Sequence, residues 1–388
     1  MPIQLLVAST DEHFREMVRE SLLNLPNAKT AAEYPEVGPN LYIRVLQDLE
    51  RAPEAALFID IAGDPETGLK ALEKVKQAAP DLYVIASNYA ADAESVIQAV
   101  RAGANDFLSQ PLRRTEFREA MTRLERTPRR AATGASQLGK IYTFLGAKGG
   151  VGTTTMAVNF ASVLAQRKMN TVLTDIDWTA NDCAMYLGAS PQYTLAEVGE
   201  NLSRMDQTLF EGFVARDPIG FFFVGPPDAP DHQGFFNGSM FREFATFLIE
   251  KYEAIIIDAG RNLTSELTVS ALQASSAVYL VMKQDYPSIR DAQRTLAALM
   301  RMGFTQEQIR VIINEYQRKP QPNLASLEQV QQTLNQQIFY GIPSSPAVLA
   351  AANKGRPFVE DRQAAGELDK IFRAFVDKAT GRKKEAAA

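Results

Sequence analysis

The sequence predicts an α/β protein with two doubly wound parallel sheets, one in each of two successive domains. The chain has 388 residues, which is more than one ordinary hydrophobic core needs. Short apolar runs such as IQLLVA, ALFID and YEAIIID alternate with stretches of helical periodicity, as in parallel sheets covered on both faces. The segment RTPRRAATGASQLG, rich in small, basic and turn-forming residues, separates the two alternating regions.

These patterns set the expected domain boundaries. We expect a first domain over residues 1–125, a linker over 126–138, a larger second domain over 139–378 and a disordered tail over 379–388.

Composition excludes several classes of function. A lone cysteine, Cys183, rules out an internal disulfide framework, and the distant histidines His13 and His232 lack ligand-like spacing, so we expect no zinc site. A net charge of −5 gives no overall reason to expect nucleic-acid binding. No apolar run approaches a membrane-spanning length and no charged-then-apolar leader follows Met1, so we expect a cytoplasmic protein.

The strongest motif is AKGGVGTTT, which follows a strand-like run and opens a helix-like one. Glycines at positions 149, 150 and 152 would let backbone N–H groups surround phosphate oxygens, and the helix beginning near Thr153 would direct its positive end at them. The Thr154 hydroxyl stands where a phosphate loop places a magnesium ligand. The alternative is a glycine-rich turn without a ligand. The residues predicted to bind phosphate are Lys148, Gly149, Gly150, Val151, Gly152, Thr153, Thr154 and Thr155.

The loop departs from the simple consensus at two positions. Ala147 replaces the first glycine, and Thr153 replaces the lysine that normally contacts the β- and γ-phosphates. Lys148 is the remaining cation of the loop. At the start of the loop it would point away from its own nucleotide, toward the nucleotide of a facing subunit.

KGGVG followed by a run of hydroxyls resembles the deviant Walker A motif of the MinD/ParA/Mrp family. The resemblance implies ATP and Mg²⁺ as ligands and a homodimer in which Lys148 crosses the interface to the partner's phosphates. The family's second lysine is what Thr153 lacks.

Acidic residues end two of the apolar runs that follow the loop. In VLTDIDWTAND the resemblance implies switch I aspartates at Asp175 and Asp177, and we assign Asp177 to catalysis with Lys148. In YEAIIIDAG it implies a Walker B-like carboxylate at Asp258. The predicted magnesium ligands, partly through water, are Thr154, Asp177 and Asp258. For each carboxylate the alternative is a helix cap or a turn.

A base pocket is the next expectation. Asn314, which ends IRVIIN, matches the family's adenine-reading asparagine, and the segment IPSSPAVLAAANKGRPF, which contains Pro343, resembles the one that closes the pocket. Glu315 stands where relatives often carry arginine. A plain turn asparagine is the alternative for Asn314.

The first domain resembles a response-regulator receiver, with Asp60 at the phosphoacceptor position and Ser87 at the usual Thr/Ser position. Two essential parts are altered. The acidic pair after the first strand is replaced by Ser9 and Thr10, and the lysine before the last proline is replaced by Gln110. Without those charges we expect Asp60 to be a vestigial phosphoacceptor in a binding module.

A degenerate receiver joined to a MinD-like domain resembles the TadZ/CpaE family, which helps to position the Tad (Flp) pilus secretion machinery. The resemblance implies pilus or secretion proteins as partners and a place at the pole or at an inner-membrane secretion complex. Two hypotheses remain open from the residues: a slow ATPase that dimerises with ATP, and a nucleotide-binding scaffold that does not hydrolyse it. DNA partitioning or division-site selection is a more distant alternative.

Other classes are excluded or disfavoured. Cys183 alone cannot provide the cluster ligands of an iron–sulfur reductase, and no DNA-reading unit follows the first domain. Basic residues cluster only in the linker and tail, as in solvated charge runs. The amphipathic segment GELDKIFRAFVDKATG is read as a last core helix rather than as a lipid-inserting one, so peripheral membrane contact is not favoured.

Overall fold

A computed structural model describes residues 3–23, 25, 27–49, 51–89, 93–126, 138–227, 236–319 and 321–381. The chain divides into two compact units, Met1–Leu138 and Gly139–Ala388. Both are α/β units built on a mostly parallel sheet, as the sequence predicts.

The first unit alternates strands and helices throughout its described residues. Its sheet has the order β2-β1-β3-β4-β5 with every neighbouring pair parallel, which is the flavodoxin-like order of receiver domains. The elements are β1 (Ile3–Ala8), α1 (Glu12–Leu23), β2 (Ala28–Tyr34), α2 (Leu41–Leu49), β3 (Ala56–Asp60), α3 (Pro65–Ala78), β4 (Val84–Asn88), α4 (Ala93–Arg101), β5 (Asp106–Ser109) and α5 (Arg114–Arg126).

Alternating residues of the central strands feed two cores, one on each face of this sheet. On β3, Phe58 packs with Phe14 of α1 and Phe117 of α5. Leu57 and Ile59, on the opposite face of the strand, pack toward α2 and α3. Apolar residues on both faces explain why the strand reads as a continuous apolar run.

The second unit has an eight-stranded sheet in the order β13-β12-β11-β6-β10-β7-β9-β8, parallel except for the β8–β9 pair. The elements are β6 (Lys140–Gly146), α6 (Thr153–Gln166), β7 (Thr171–Asp175), α7 (Asp182–Leu187), α8 (Leu195–Asn201), α9 (Gln207–Phe213), β8 (Ala215–Arg216), β9 (Phe222–Val224), α10 (Gly238–Lys251), β10 (Ala254–Asp258), α11 (Glu266–Ala274), β11 (Ala277–Met282), α12 (Tyr286–Arg301), β12 (Ile309–Asn314), α13 (Leu327–Leu334), β13 (Ile338–Ile342), α14 (Pro346–Ala352), α15 (Arg362–Ala365) and α16 (Glu367–Thr380). Short 3₁₀ turns cover Leu202–Arg204 and Phe358–Glu360.

From the strand order, a binding crevice is expected at the carboxyl end of β6. The chain leaves β6 toward β7 on one side of it and later returns through β10 to β11 on the other side. In open α/β sheets, ligands bind at the strand ends where the order reverses in this way. The phosphate-loop motif begins at this point.

Helices α6 and α16 form the core on one face of this sheet. The Phe160 ring of α6 packs against Phe144, Tyr279 and Phe375, the last of these from α16. The apolar face of α16 is covered by protein, as expected for a core helix, with Phe372, Phe375 and Val376 buried. None of the helices among the described residues is long and apolar enough to cross a membrane.

Two helices extend slightly past the domain boundaries expected from the sequence. Helix α5 reaches Arg126, one residue beyond the end expected for the first domain, and α16 reaches Thr380, two residues into the segment assigned to the tail. Residues 127–137 and 382–388, which hold most of the predicted linker and tail, lie outside the described residues.

Candidate functional site

The glycine-rich segment forms a tight loop between β6 and α6. Its start is fixed by two hydrogen bonds, from Gly146 N–H to the Gly260 carbonyl (2.7 Å) and from Ala147 N–H to the Val281 carbonyl (2.9 Å). Gly152 has φ +93° and occupies the N-cap of α6, where no side chain caps the helix. The first N–H groups of α6 therefore have no side-chain acceptor at the cap, which is the arrangement that binds anions.

Asn314 braces this loop from the end of β12. Its Nδ2 donates to the Val151 carbonyl (2.8 Å), and a Cβ on Gly152 would collide with the same amide group. Glycine at 152 is thus required both by its φ and by this close approach. One amide hydrogen of Asn314 is committed to the loop, a contact that the sequence did not predict. Adenine reading by Asn314 stays a prediction.

Register places the two strand-end carboxylates side by side. Asp258 on β10 lies opposite Asp175 on β7, and both are buried. Asp175 accepts N–H bonds from Asp177 (2.9 Å) and Cys183 (3.2 Å). Asp258 accepts bonds from Gly260 N–H (3.2 Å), the Cys183 thiol (3.5 Å) and the hydroxyl of Thr154.

Burial dominates the electrostatics of this pair. It raises the pKa of Asp258 to about 6, with the Thr154 hydroxyl opposing the rise, and it raises the pKa of Asp175 well above its ordinary value, aided by the charge of Asp258. Neither carboxylate forms an ion pair with a cationic side chain among the described residues. The pocket therefore holds acidic groups without a protein cation to compensate them.

A magnesium ion fits the oxygen donors around this pair. Hydroxyl and carboxylate oxygens are the ligands that Mg²⁺ prefers, and Thr154 and Asp258 present both kinds next to the phosphate loop. The Cys183 thiol does not fit, because burial raises its pKa and a protonated sulfur is a poor ligand for a hard cation.

Asp177 lies at the rim of the same pocket. One of its carboxylate oxygens accepts bonds from the N–H (3.0 Å) and hydroxyl (2.5 Å) of Thr179. The other oxygen packs against Gly260, where a Cβ would overlap it and where φ is +56°. Because Gly260 has no side chain, the Asp177 carboxylate can lie against the backbone that follows β10.

Lys148 forms an ion pair at the start of α12. Its ammonium lies 3.5 Å from a carboxylate oxygen of Asp285, with both side chains about one-third exposed (36% and 34%). Asp285 is the N-cap of α12 and accepts the Ser288 N–H at 2.9 Å. The hydroxyl of Thr153, at the position of the missing lysine, is directed at Gly146, since a Cβ there would lie 2.5 Å from it.

The expected base-pocket residues end neighbouring strands. Ile342 pairs with Asn314 in the β12–β13 ladder, and half-buried Pro343 follows it at the same edge. Glu315, which follows Asn314, has φ +54° and pairs with Lys283 at 2.7 Å.

In the first unit, the carboxylate at the end of β3 is surrounded by neutral hydrogen-bond donors. Asp60 is 6% exposed and accepts bonds from the Ser9 hydroxyl (2.6 Å), the Gln110 side-chain amide (2.7 Å) and Ala62 N–H (2.9 Å). Ser9 and Gln110 are the residues that replace part of the acidic pair and the lysine. The Ser87 hydroxyl is buried and forms no hydrogen bond with the described residues.

Sequence reasoning missed three residues of the second-unit site: Cys183, Gly260 and Arg261. Cys183 lies between two carboxylates, and Arg261 lies beside Gly149 of the loop. Their positions depend on strand register and on a loop conformation far along the chain, so no local motif marks them. The glycine and the arginine two and three residues after Asp258 are the only local signal.

Comparison with known proteins identifies the family to which the nucleotide-binding region is similar. The model of the CobQ/CobB/MinD/ParA nucleotide binding domain matches residues 142–358, more than half of the chain. The septum site-determining protein MinD of Thermotoga maritima is 25% identical over 226 residues, which is 57% of this chain and 81% of that protein. MinD of Escherichia coli K12 is 22% identical over 253 residues, 63% of this chain and 92% of that protein.

Solved structures share the fold of the second unit. A ParA family ATPase from Chlorobium tepidum superposes with a TM-score of 0.57 at 20% identity, covering 61% of this chain and 98% of that one. MinD from Pyrococcus horikoshii, solved with Mg-ADP, superposes with a TM-score of 0.54 at 20% identity, covering 64% of this chain and 100% of that one. At this identity the likeness establishes the fold alone.

Proposed function

The chain belongs to the CobQ/CobB/MinD/ParA nucleotide-binding domain family, and from that premise we propose that it is an ATP-binding, dimerising switch with weak ATP hydrolysis. The observation that carries the proposal is the uncapped start of α6 beside the buried, uncompensated carboxylate of Asp258. The first backbone N–H groups of α6 can bind an anion, and the nearby carboxylate of Asp258 can bind a cation. A magnesium–triphosphate group supplies both charges at once.

The proposal assigns roles to the amides of the loop and to three side chains of the site. Backbone amides from Gly149 to Gly152 hold the phosphates, while Thr154 and Asp258 hold Mg²⁺, which neutralises phosphate charge. Asp177 orients the attacking water from the rim of the pocket. In hydrolysis the water oxygen bonds to the γ-phosphorus, the bond to the β–γ bridging oxygen breaks, and ADP departs with that electron pair while the water's proton passes to solvent.

Dimerisation depends on Lys148 in this proposal. The contact of its ammonium with Asp285, the N-cap of α12, supports this role, in which Lys148 would leave Asp285 for the phosphates of a facing subunit. ATP held between two copies adds contacts that exist only in the dimer, and hydrolysis removes them.

We further propose the pilus role of the TadZ/CpaE family. What supports it is the order of the two units, because a receiver-like sheet with a neutral site around Asp60 precedes the nucleotide-binding unit. The switch would position or help to assemble a Tad/Flp pilus secretion machine, with proteins of that machine as partners. The names of the MinD relatives favour division-site selection as the second candidate.

Mass measurement at several protein concentrations tests the switch. We expect the mass to double only with ATP and Mg²⁺, and Lys148→Ala to stay monomeric while it still binds ATP. Lys70→Ala is the matched control, since it removes another lysine from a surface ion pair, with Glu66 at 2.6 Å. A dimer of constant mass without nucleotide would contradict the switch and point to the receiver-like unit as the dimerising part.

Phosphate release separates the switch from a non-hydrolysing scaffold. We expect slow release by the wild-type chain and a lower rate for Lys148→Ala and Asp177→Ala. Equal background rates in all three proteins, each shown to bind ATP, would leave the scaffold as the function.

A further inference from the structure

Arg261 lies beside the phosphate loop although no family motif marks it. A Cβ built on Gly149 would lie 3.6 Å from its Nη1 and 3.8 Å from its Cζ. The preceding residue, Gly260, accepts the Gly146 N–H at 2.7 Å and donates its own N–H to Asp258. The backbone that carries the arginine is therefore tied to the first residue of the loop.

The loop lacks a cation of its own at this place. Thr153 occupies the consensus lysine position and directs its hydroxyl at Gly146, and the ammonium of Lys148 is paired with Asp285. Arg261 is exposed and forms no ion pair with any carboxylate in the part of the chain that the structure describes. Its guanidinium is thus a cation beside the loop glycines that no described acidic side chain engages.

We propose that Arg261 contacts the terminal phosphate of the ATP held by its own loop, and that it supplies the charge that Thr153 does not. This inference rests on the proposed nucleotide-binding function. Gly260 links the two groups that approach this phosphate, because the Asp177 carboxylate packs against it and Arg261 follows it. A planar guanidinium can donate to two phosphate oxygens at once.

The inference makes Arg261 a sensor of the γ-phosphate. A contact with the terminal phosphate stabilises bound ATP but adds nothing to bound ADP. Arg261→Ala should therefore weaken ATP binding about tenfold to a hundredfold, the range for a hydrogen bond to a charged group. ADP binding should change by less than about threefold. The ATP affinity of Arg261→Lys should lie between that of the wild-type chain and that of Arg261→Ala.

A double substitution gives the sharper test. Thr153→Lys restores the consensus lysine, so in that background Arg261→Ala should lose most of its effect on ATP binding, as expected when two groups serve the same phosphate. Arg362→Ala, which removes an exposed arginine from α15, is the matched control and should change neither affinity.

The experiment is calorimetric titration of the full chain with a non-hydrolysable ATP analogue and with ADP, both with Mg²⁺. If the wild-type chain binds neither nucleotide, the proposed function fails and the inference fails with it. If it binds both, and Arg261→Ala leaves the ratio of the two affinities unchanged, the inference alone is overturned. That ratio decides the matter even where Thr153→Lys does not fold.

Discussion

Two aspartates, Asp60 and Asp258, occupy equivalent places in the two units and have opposite surroundings. Each ends a fully buried central strand of a parallel sheet, β3 in one unit and β10 in the other. Asp60 accepts hydrogen bonds from two side chains and one backbone N–H. Asp258 lies beside a second buried carboxylate, that of Asp175.

The difference shows that the neighbouring side chains, rather than position in the fold, decide whether a strand-end carboxylate is suited to bind a cation. Ser9 and Gln110 donate hydrogen bonds to the carboxylate oxygens of Asp60, which a metal ion and a lysine would otherwise contact. Asp258 also accepts three hydrogen bonds, but the buried carboxylate of Asp175 lies beside it and burial raises the pKa of Asp258 to about 6. A carboxylate of the second kind gains from a cation, whereas one of the first kind does not.

The largest expected effect concerns the loop beside Asp258. Gly152→Val should weaken ATP binding more than about a hundredfold, because a side chain at φ +93° collides with Asn314 and distorts the amides that hold phosphate. Titration calorimetry measures it. Gly212→Ala on α9 is the control, since nothing lies within 4 Å of its Cβ position. Equal affinities in the two variants would place the nucleotide elsewhere.

Removing a donor should weaken the neutral surroundings that distinguish the Asp60 site from the Asp258 site. Gln110→Leu should destabilise the first unit by about 1.5 to 3 kcal/mol at pH 7, because it deprives a buried carboxylate of a hydrogen bond. Hydrogen exchange at the β3 amides reports the loss. Gln98→Leu, at an exposed position of α4, is the control. Unchanged protection in Gln110→Leu would show that the amide does not hold Asp60 in place.

Asp258→Asn should instead stabilise the nucleotide-free chain, by about 1 to 2 kcal/mol above pH 6. The folded-state pKa of Asp258 is raised to about 6, so the folded chain holds a proton that the unfolded chain has already lost. Stability therefore falls as pH rises from the ordinary carboxyl pKa to about 6. The gain from Asn should be small near pH 4 and complete above pH 6. Melting temperatures in EDTA across this range check the sign, and a loss of stability at pH 7.5 would contradict it.

The smallest expected effect is at Asp60 itself. Acetyl phosphate or beryllium fluoride with Mg²⁺ should leave the spectrum and mass of the chain unchanged, because the carboxylate is 6% exposed and engaged by neutral donors. Intact-mass spectrometry and NMR of the first unit's amides measure it. A phosphoryl adduct at Asp60 would erase the contrast between the two sites.

Local sequence patterns predict most of the fold and part of the candidate site. Alternating strands and helices, the loop at 147–155 and the acidic ends of β7 and β10 all follow from short stretches of sequence. Contacts between distant segments did not follow. Cys183 is placed between Asp175 and Asp258 by the loop after β7, and Asn314 reaches Val151 from a strand far along the chain.

Arg261 illustrates the same limit at the loop itself. The loss of the consensus lysine at Thr153 is visible in the sequence, but the group that lies beside the loop comes from the end of β10. The pairing of β6 with β10 and the hydrogen bond from Gly146 N–H to the Gly260 carbonyl bring the two segments together.

Titration of the full-length chain with ATP and Mg²⁺ tests the central claim most directly, that the amides between Gly149 and Gly152 hold a triphosphate. We expect saturable heat with one nucleotide bound per chain, lost in Gly152→Val and retained in Gly212→Ala. Well-folded wild-type protein that gives no heat with either adenine or guanine triphosphates would contradict it.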